Sequence, residues 1–264
     1  MFKEDSKILG PIGGFGKVIG AKSDDVDAFT NVTSVSVDGV AGSKIDIPFS
    51  TDFGQTNNVS AFAWANTSVS QVFGNVFGHY NTGPARRKWL LGFRLGTVEA
   101  EVSADGSSGP SVFKQYQSVA LFDDGSYHHI GFTFASNVLK LYVDGIELVG
   151  AALTKTQDGT VNTLFANTTD PVQIGSILLG GVPGLAFDGL IDEPLWWDKA
   201  LTGAEVTALF NSSVVFDYTT HSAAAVNLQE RYRFDGDTLP TVIGDINSNN
   251  GTSAGGVSLS TTVP

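Results

Sequence analysis

FDGLIDEPLWWDKALTGAEVTALFN, residues 187–211, is the stretch that decides the fold. Its first half, rich in large apolar residues, predicts a strand over residues 190–197. Thr202 and Glu205 follow with the S/T-x-x-E spacing of a helix capping box. The stretch therefore predicts a late strand that runs directly into one short helix near residues 202–210.

The end of this predicted strand carries apolar side chains on both faces. Because neighbours in a strand point to opposite sides, Leu195 and Trp197 share one face and Trp196 lies on the other. Pro194 cannot donate a ladder hydrogen bond, which indicates a sheet edge or a bulge. A sandwich strand normally leaves one face to solvent. We therefore expect the C-terminal segment or a neighbouring subunit to cover Trp197, which would otherwise be a candidate glycan platform.

Composition favours an all-β protein. The chain has 264 residues, with 31 Gly, 18 Phe and only 15 Lys plus Arg, and no long helical pattern appears. Its net charge of −12 argues against binding to nucleic acid or to anionic membranes, both of which need clustered cations. With no cysteine, the chain has neither a disulfide framework nor a thiolate metal site.

The pattern along the chain predicts three segments. Residues 1–27 are punctuated by glycine and read as an N-terminal arm, either a first edge strand or an extension that docks on another subunit. Residues 28–212 carry the sandwich, and residues 213–264 form a C-terminal β extension, which completes its own sheet or adds strands to a neighbour. No stretch has the length of a signal-peptide core or a membrane span, so we expect neither.

Two turn signals predict hairpins. Apolar and polar residues alternate over residues 35–37 and 45–47, on either side of a Gly-containing turn at residues 38–42. Asp144-Gly145 is the stronger signal, because this dipeptide suits the tight turns with positive φ that join antiparallel strands.

These motifs resemble the laminin-G-like, concanavalin A-like lectin/glucanase jelly rolls. In that family a Gly-x-Ile-Asp-Glu strand runs into an Ala-Leu-(Thr/Ser)-x-x-Glu-Ile helix turn, and a central strand reads Leu-x-Leu-Tyr-Val-Asp-Gly. The matching residues here are Gly189, Ile191, Asp192, Glu193, Ala200, Leu201, Thr202, Glu205 and Val206, together with residues 139–145. The resemblance spans roughly residues 30–212. It implies an antiparallel two-sheet concanavalin A-like jelly-roll sandwich with one short helix.

One loop stands out chemically. Residues 79–89 place three consecutive cations beside aromatic and imidazole rings in an otherwise acidic chain. Rigid rings and planar guanidinium groups are common in binding sites. The loop therefore predicts a glycan or partner contact, although a solvated hairpin tip with a packed tryptophan fits the same residues. With the platform described above, the candidate binding residues are His79, Tyr80, Arg86, Arg87, Trp89 and Trp197.

The family resemblance also implies one structural calcium ion and no other cofactor. Many members hold calcium near the opening strand and the Ile-Asp-Glu strand, which places Asp38 and Asp192 as candidate ligands. Calcium needs six to eight oxygen ligands. The alternative for Asp192 is that it accepts hydrogen bonds from backbone donors at a strand bend.

We expect no catalytic residues. Retaining glycoside hydrolases need two carboxyl groups about 5 Å apart, and the hydrolases in this family write them as Glu-x-Asp-x-x-Glu. Glu99 and Glu101 share one face of a strand, but the next acid, Asp105, follows a probable turn.

The sequence thus favours a non-enzymatic virion structural protein of a bacteriophage, in head decoration, tail or fibre. Arg233-Phe234-Asp235, with the later Asn-Gly-Thr at residues 250–252, also resembles the ends of some phage laminin-G-like proteins. Such a protein would assemble in the host cytoplasm, bind other virion subunits as a homo-oligomer, and could touch host-surface glycans. The alternative is a carbohydrate-binding module or adhesin of a bacterial surface; a glycoside hydrolase is third.

Overall fold

Strands are the main regular structure of the computed structural model, which describes residues 31–211 and 226–264. The arm predicted at residues 1–27 lies outside these residues, as does the beginning of the predicted C-terminal extension. In the described part of the chain, no helix is long and apolar enough to cross a membrane.

The described ranges contain nineteen strands and one α-helix. The first ten strands are β1 Ser34–Asp38, β2 Lys44–Ile47, β3 Asn58–Asn66, β4 Gly74–His79, β5 Trp89–Arg94, β6 Thr97–Ser103, β7 Phe113–Ser118, β8 Tyr127–Ala135, β9 Val138–Val143 and β10 Ile146–Glu147. The remaining elements are β11 Leu153–Asp158, β12 Val172–Ile174, β13 Ile177–Leu179, β14 Val182–Gly184, β15 Asp188–Trp197, α1 Gly203–Phe210, β16 Leu228–Arg231, β17 Thr241–Val242, β18 Gly251–Ala254 and β19 Val257–Ser260. Short 3₁₀ turns lie at Thr51–Phe53 and Gly150–Ala152.

Two large antiparallel sheets pack face to face. One has eight strands in the order β10-β9-β8-β3-β15-β1-β19, with β16 also paired to β15. The other has nine, in the order β11-β7-β6-β5-β4-β12-β2-β18-β17, and β13 and β14 form a separate ribbon. This arrangement confirms the predicted all-β jelly-roll sandwich with one short helix.

Alternation along the strands builds the core between the sheets. On β8, Ile130, Phe132 and Phe134 are buried in it, and Trp89 of β5 stacks on Trp196 of β15 with ring centroids 4.7 Å apart. Burying one such large apolar side chain contributes about 2 kcal/mol, so the inner faces supply most of the stabilisation.

The hairpin predicted around residues 38–42 is wrong. β1 pairs with β15 and β19 in the eight-stranded sheet, whereas β2 pairs with β12 and β18 in the nine-stranded sheet. The turn carries the chain from one layer to the other. Both strands turn their apolar residues to the same core, so their alternation looks like that of a hairpin.

The second turn prediction is confirmed. Asp144 and Gly145 have φ values of 50° and 76° and join β9 to β10 in an antiparallel pair. Positive φ at both central residues is the signature of a type I′ turn.

The opening stretch folds as expected. β15 ends at Trp197, and α1 begins after Thr202 with a complete capping box formed with Glu205. Trp197 is fully buried, under apolar side chains of α1 together with Leu228 of β16 and Ile246. The second face of β15 is therefore covered by the chain itself, as the apolar pattern required.

The strands after residue 226 complete both sheets of their own chain. β16 pairs with β15 and β19 pairs with β1, while β17 and β18 extend the nine-stranded sheet beside β2. Of the two arrangements predicted for the C-terminal segment, this part adopts the first.

Candidate functional site

A cleft of about 460 Å³ opens on the outer face of the nine-stranded sheet. Val98, Ala100 and Val102 of β6 face the core, so the intervening Glu99 and Glu101 point outward into this cleft. Two carboxyl groups on one strand face therefore stand at its floor, and we call them the cleft pair.

Hydrogen bonds from β7 clamp the cleft pair. Gln115 Nε2 donates to Glu99 Oε2 at 3.1 Å and to Glu101 Oε1 at 2.8 Å. Gln117 Nε2 donates to Glu99, and the Tyr80 hydroxyl donates to Glu101. The register explains this, because Gln117 lies opposite Glu99 and Gln115 opposite Glu101. Because both carboxyl groups accept from the same nitrogen, Gln115 Nε2, they lie next to each other in the cleft.

Burial and mutual repulsion keep a proton on the cleft pair. Only 2% of Glu99 and 6% of Glu101 is exposed. Burial, followed by the neighbouring Glu99 charge, raises the pKa of Glu101 to about 8, and burial also raises the pKa of Glu99. The nearest cation is Arg94, whose Nη1 lies 3.7 Å from Glu99 Oε2. At neutral pH Glu101 therefore keeps its proton, and the pair carries at most one negative charge.

Apolar and aromatic groups surround these polar atoms. The Arg94 guanidinium lies 4.4 Å from the centre of the Phe73 ring, and Phe73 and Leu90 line the cleft. Stacked Arg–aromatic pairs combine charge with a flat surface. The cleft thus offers donors, acceptors and apolar contact within one concavity.

The predicted loop contributes two of its candidate residues to the cleft. Tyr80 is buried, but its hydroxyl reaches Glu101, and the Arg87 guanidinium lies 5.7 Å from the centre of the Tyr80 ring. Arg86 points elsewhere, donating to Thr169 Oγ1 at 2.9 Å and approaching Asp170 at 3.5 Å.

The other three candidates lie in the interior instead of at a binding surface. His79, Trp89 and Trp197 are each 0% exposed. His79 Nε2 lies 3.0 Å from the Asp170 carbonyl oxygen, and burial lowers the pKa of His79 to about 3. Trp89 packs in the core between the two sheets, and Trp197 packs in the apolar cluster beneath α1. None of these buried rings presents a face to a ligand. Packing of Trp89 in the interior is one of the two alternatives that the sequence predicts for its loop. Burial of Trp197 is the prediction made from the apolar residues on both faces of its strand.

Sequence reasoning missed the centre of the cleft. Glu99 and Glu101 were noticed as one strand face, but Gln115 and Gln117 on the next strand were not connected to them. The available signal is that polar residues occupy alternate positions, and therefore one face, on each of two consecutive strands. Nothing in the sequence indicated that Arg94 would approach them, because strand pairing brings it there.

The two candidate calcium ligands do not converge on one ion. β1 places Asp38 opposite Asp188 and Val35 opposite Ile191, so Asp192 lies about 13 Å farther along the strands. The Asp38 carboxylate accepts from Val40 N at 3.0 Å and from Ser43 Oγ at 2.5 Å.

The Asp192 carboxyl group accepts hydrogen bonds from donors of the protein itself. Its carboxyl oxygens accept from Asn31 Nδ2 at 2.7 Å and from Glu193 N at 2.9 Å, which is the strand-bend role left as the alternative. Burial, then the Glu193 charge, raises the pKa of Asp192 to about 8. The separation of Asp38 and Asp192 argues against one ion shared by both residues, and a structural calcium ion elsewhere stays a prediction.

Solved structures similar to this chain include carbohydrate binders. A candidate carbohydrate-binding protein of Bacteroides ovatus aligns with a TM-score of 0.63 and 14% identity over 89% of this chain, which spans 61% of the length of that protein. The CBM40 of the Ruminococcus gnavus IT-sialidase, bound to α2,3-sialyllactose, aligns with a TM-score of 0.53 and 12% identity, over 69% of this chain and 100% of its own. At these identities the likeness concerns the fold. A comparison with curated proteins finds no match.

The family model locates the same motifs that the sequence pointed to. It is the Laminin G 3 model, described as the concanavalin A-like lectin/glucanases superfamily, and it matches residues 38–207. That range runs from the end of β1 into α1 and includes the whole of β6 and β7. The chain belongs to the concanavalin A-like lectin/glucanases superfamily.

Proposed function

We propose that the protein binds a glycan in the cleft on the outer face of its nine-stranded sheet, without catalysing a reaction on it. The observation that carries the proposal is the cleft pair, clamped by Gln115 at the floor of an open concavity. Membership in a superfamily of lectins and glucanases and the carbohydrate-binding structural relatives support it.

The groups in the cleft suit a saccharide. A sugar hydroxyl is both a donor and an acceptor, and a half-protonated carboxyl pair offers both partners in one place. Arg94 adds fixed donors beside Glu99, and the Phe73 ring adds apolar surface for the C–H face of a sugar. Apolar walls with a few convergent polar groups are typical of small-molecule sites.

The absence of catalysis is part of the proposal. A retaining hydrolase places its acid and its nucleophile about 5 Å apart on either side of the bond that breaks. Here both carboxyl groups accept from one nitrogen, Gln115 Nε2, and lie side by side on one strand face. A coupled pair of this kind supports binding better than two separate catalytic roles. Release of reducing ends from any bound polysaccharide would contradict this part.

An oligosaccharide microarray tests the binding, with the wild type beside Arg94→Ala and Phe73→Ala. We expect saccharide hits whose affinity falls about tenfold in Arg94→Ala, because each tenfold corresponds to about 1.4 kcal/mol of lost contact. Lys140→Ala is the control, since Lys140 pairs with Glu147 on the other sheet. No hits at any pH would refute the proposal, and equal binding by all variants would remove the cleft as the site.

For the biological setting we propose the virion role expected from the sequence. A cysteine-free, acidic, lectin-like sandwich and the phage-like Arg233-Phe234-Asp235 segment support it. Glycan binding would then serve contact with the host surface, and the partners would be other virion subunits. The protein profile of purified particles tests this. If the chain is absent from particles and present on the surface of bacterial cells, the adhesin alternative replaces it.

A further inference from the structure

We infer that the cleft selects uncharged saccharides over acidic ones, with Glu99 and Glu101 as the selecting group. The inference rests on the proposed glycan binding and specifies the class of ligand that the site takes. It is argued from the position of the cleft pair, from the groups that face it, and from what each kind of ligand would meet there.

The cleft pair is fixed at the floor. Both side chains are more than nine-tenths buried, and three different side chains donate to their carboxyl oxygens. A ligand that reaches the floor therefore meets oriented groups whose partners are already in place.

Few charges offset the pair. From β5, Arg94 approaches Glu99, and from the end of β4, Tyr80 donates to Glu101 as a neutral phenol, because burial, then the Glu101 charge, raises the pKa of Tyr80 well above its ordinary value. The β7 groups facing the pair are the uncharged amides described above, and β11 contributes the uncharged Thr156 and Gln157. Among the described residues, one guanidinium, that of Arg94, thus lies beside the pair.

The other arginine that lines the cleft is already engaged by groups of the protein. Arg87 lies over the Tyr80 ring and donates to the Gly106 carbonyl oxygen at 3.4 Å. An acidic ligand group near Arg87 would remain largely in solvent, where ion pairs contribute little. An acidic group at the floor would be desolvated beside the charge of the cleft pair, which is costly.

An uncharged saccharide meets no such cost. One hydroxyl can accept from the protonated carboxyl group of the pair and donate to the ionised one. The buried Gln157 Oε1 is a further acceptor, which has no hydrogen-bond partner within the described residues. Raising the pH through about 8 removes the proton from the pair, because this is where Glu101 ionises. The pair then loses its donor and carries a second charge, so binding should weaken.

The first test needs no ligand. The carboxyl ¹³C resonances of the full chain are followed by NMR from pH 4 to pH 10, in the wild type and in Glu101→Gln. We expect one carboxyl group of the cleft pair to titrate above pH 7, and this step to disappear in Glu101→Gln. If both groups titrate below pH 5, the pair has no proton to donate at neutral pH, and the role given to the protonated carboxyl group is overturned, whatever the protein binds.

The second test measures selectivity with matched ligands. The microarray includes pairs that differ by one acidic residue, such as lactose and α2,3-sialyllactose, and neutral and uronate-bearing oligosaccharides. We expect the neutral member of each bound pair to bind about tenfold more tightly at pH 6, and its affinity to fall about tenfold by pH 9. Glu101→Gln keeps the charge of Glu99, so the preference at pH 6 should remain and the pH dependence should flatten. Glu147→Gln, the same change on the other sheet, should leave both as in the wild type.

The outcomes separate the two proposals. Binding of glycans with equal or greater affinity for the acidic member would overturn the inference and leave glycan binding standing. Absence of any glycan binding would overturn the proposed function and, with it, the selectivity. Loss of the pH dependence in Glu147→Gln as well as in Glu101→Gln would assign it to overall charge and overturn the role of the cleft pair.

Discussion

Two pairs of buried carboxyl groups, one on each sheet, have the same chemistry and opposite surroundings. The cleft pair on β6 faces an open concavity and is held by amides and a phenol. Asp192 and Glu193 on β15, which we call the bulge pair, are sealed inside the protein. In both pairs, burial raises the pKa values of the carboxyl groups.

The bulge pair is enclosed by the C-terminal segment. The ladder between β15 and β3 shifts register between Asp192 and Leu195, and Glu193 has a φ of 46°, as Pro194 had suggested. Arg231 Nη1 lies 3.7 Å from Glu193 Oε2, and Arg233 Nε lies 3.5 Å from Glu193 Oε1.

The difference shows that buried carboxyl groups, which are costly to desolvate, can have two different roles in one fold. At the bulge, arginines from β16 and beyond compensate the buried acid, so the charges join the C-terminal segment to β15. At the cleft pair, Arg94 is the cation that approaches among the described residues, and the open side remains for a ligand. Buried charge that is paired stabilises an arrangement, whereas buried charge left partly unpaired points to a binding role.

Removing an arginine from the bulge should have the largest effect. Arg231→Ala leaves Glu193 and Asp245 without a cation that lies 3.0 Å from Asp245 Oδ2. Loss of one partner of a buried ion pair costs about 3–5 kcal/mol, so we expect the free energy of unfolding to fall by that amount in urea denaturation. The exposed pair of Lys140 is the control, and Lys140→Ala should change stability by about 0.5 kcal/mol or less. Equal losses of stability in Arg231→Ala and Lys140→Ala would show that the ion pairs at the bulge do not hold the C-terminal segment on β15.

Replacing one glutamate by glutamine should lower the stability of the protein at the bulge pair and raise it at the cleft pair. At pH 8, Glu193→Gln removes the charge that faces Arg231 and Arg233, and we expect a loss of about 2 kcal/mol. Glu101→Gln removes repulsion from Glu99 and should raise stability by about 1 kcal/mol. Urea denaturation at one pH measures both. Destabilisation of similar size in both variants would mean that the cleft pair is a structural ion network and would remove the contrast.

Stability should fall as the pH rises from about 5 to about 8. The folded-state pKa values of Glu101 and Asp192 are about 8 and that of Glu193 is about 7, all above those of the unfolded chain. In this window these three acids bind more protons in the folded state, and they outnumber the buried His79 and His129, whose lowered pKa values of about 3 and about 4 act in the opposite direction. The free energy of unfolding therefore decreases with pH. We expect Tm to drop by a few degrees, since about 1 kcal/mol corresponds to roughly 2–4 °C at this size. Calorimetry of the Glu101→Gln, Asp192→Asn double variant should show a flatter profile, and a rise of Tm over this range in the wild type would contradict the account.

The sequence carried much of the fold because local chemistry agreed with the tertiary structure. The capping box of α1, the Asp144-Gly145 turn and the covered face of Trp197 can each be predicted from a stretch of a few residues. The turn at residues 38–42 was misjudged for the opposite reason. Strands in the same sheet and strands in facing sheets alternate in the same way, and only the choice of partner separates them.

The site was harder to predict because it depends on pairing across strands. Tyr80 and Arg87 were found from an unusual loop composition, but the same argument selected His79 and Trp89, which the core buries. An aromatic residue in a β protein serves the core or a ligand with equal ease, and only burial distinguishes the two. The cleft pair needed the register of β6 with β7, which no local motif records.

The most direct test of the account maps the bound glycan on the protein. Amide resonances of the full chain are followed by NMR during titration with the tightest-binding saccharide of the microarray. We predict shifts concentrated on β5, β6, β7 and β11 around Glu99, Glu101 and Gln115. Shifts confined to the eight-stranded sheet, with those of the cleft unchanged, would contradict the assignment of the cleft as the glycan-binding site.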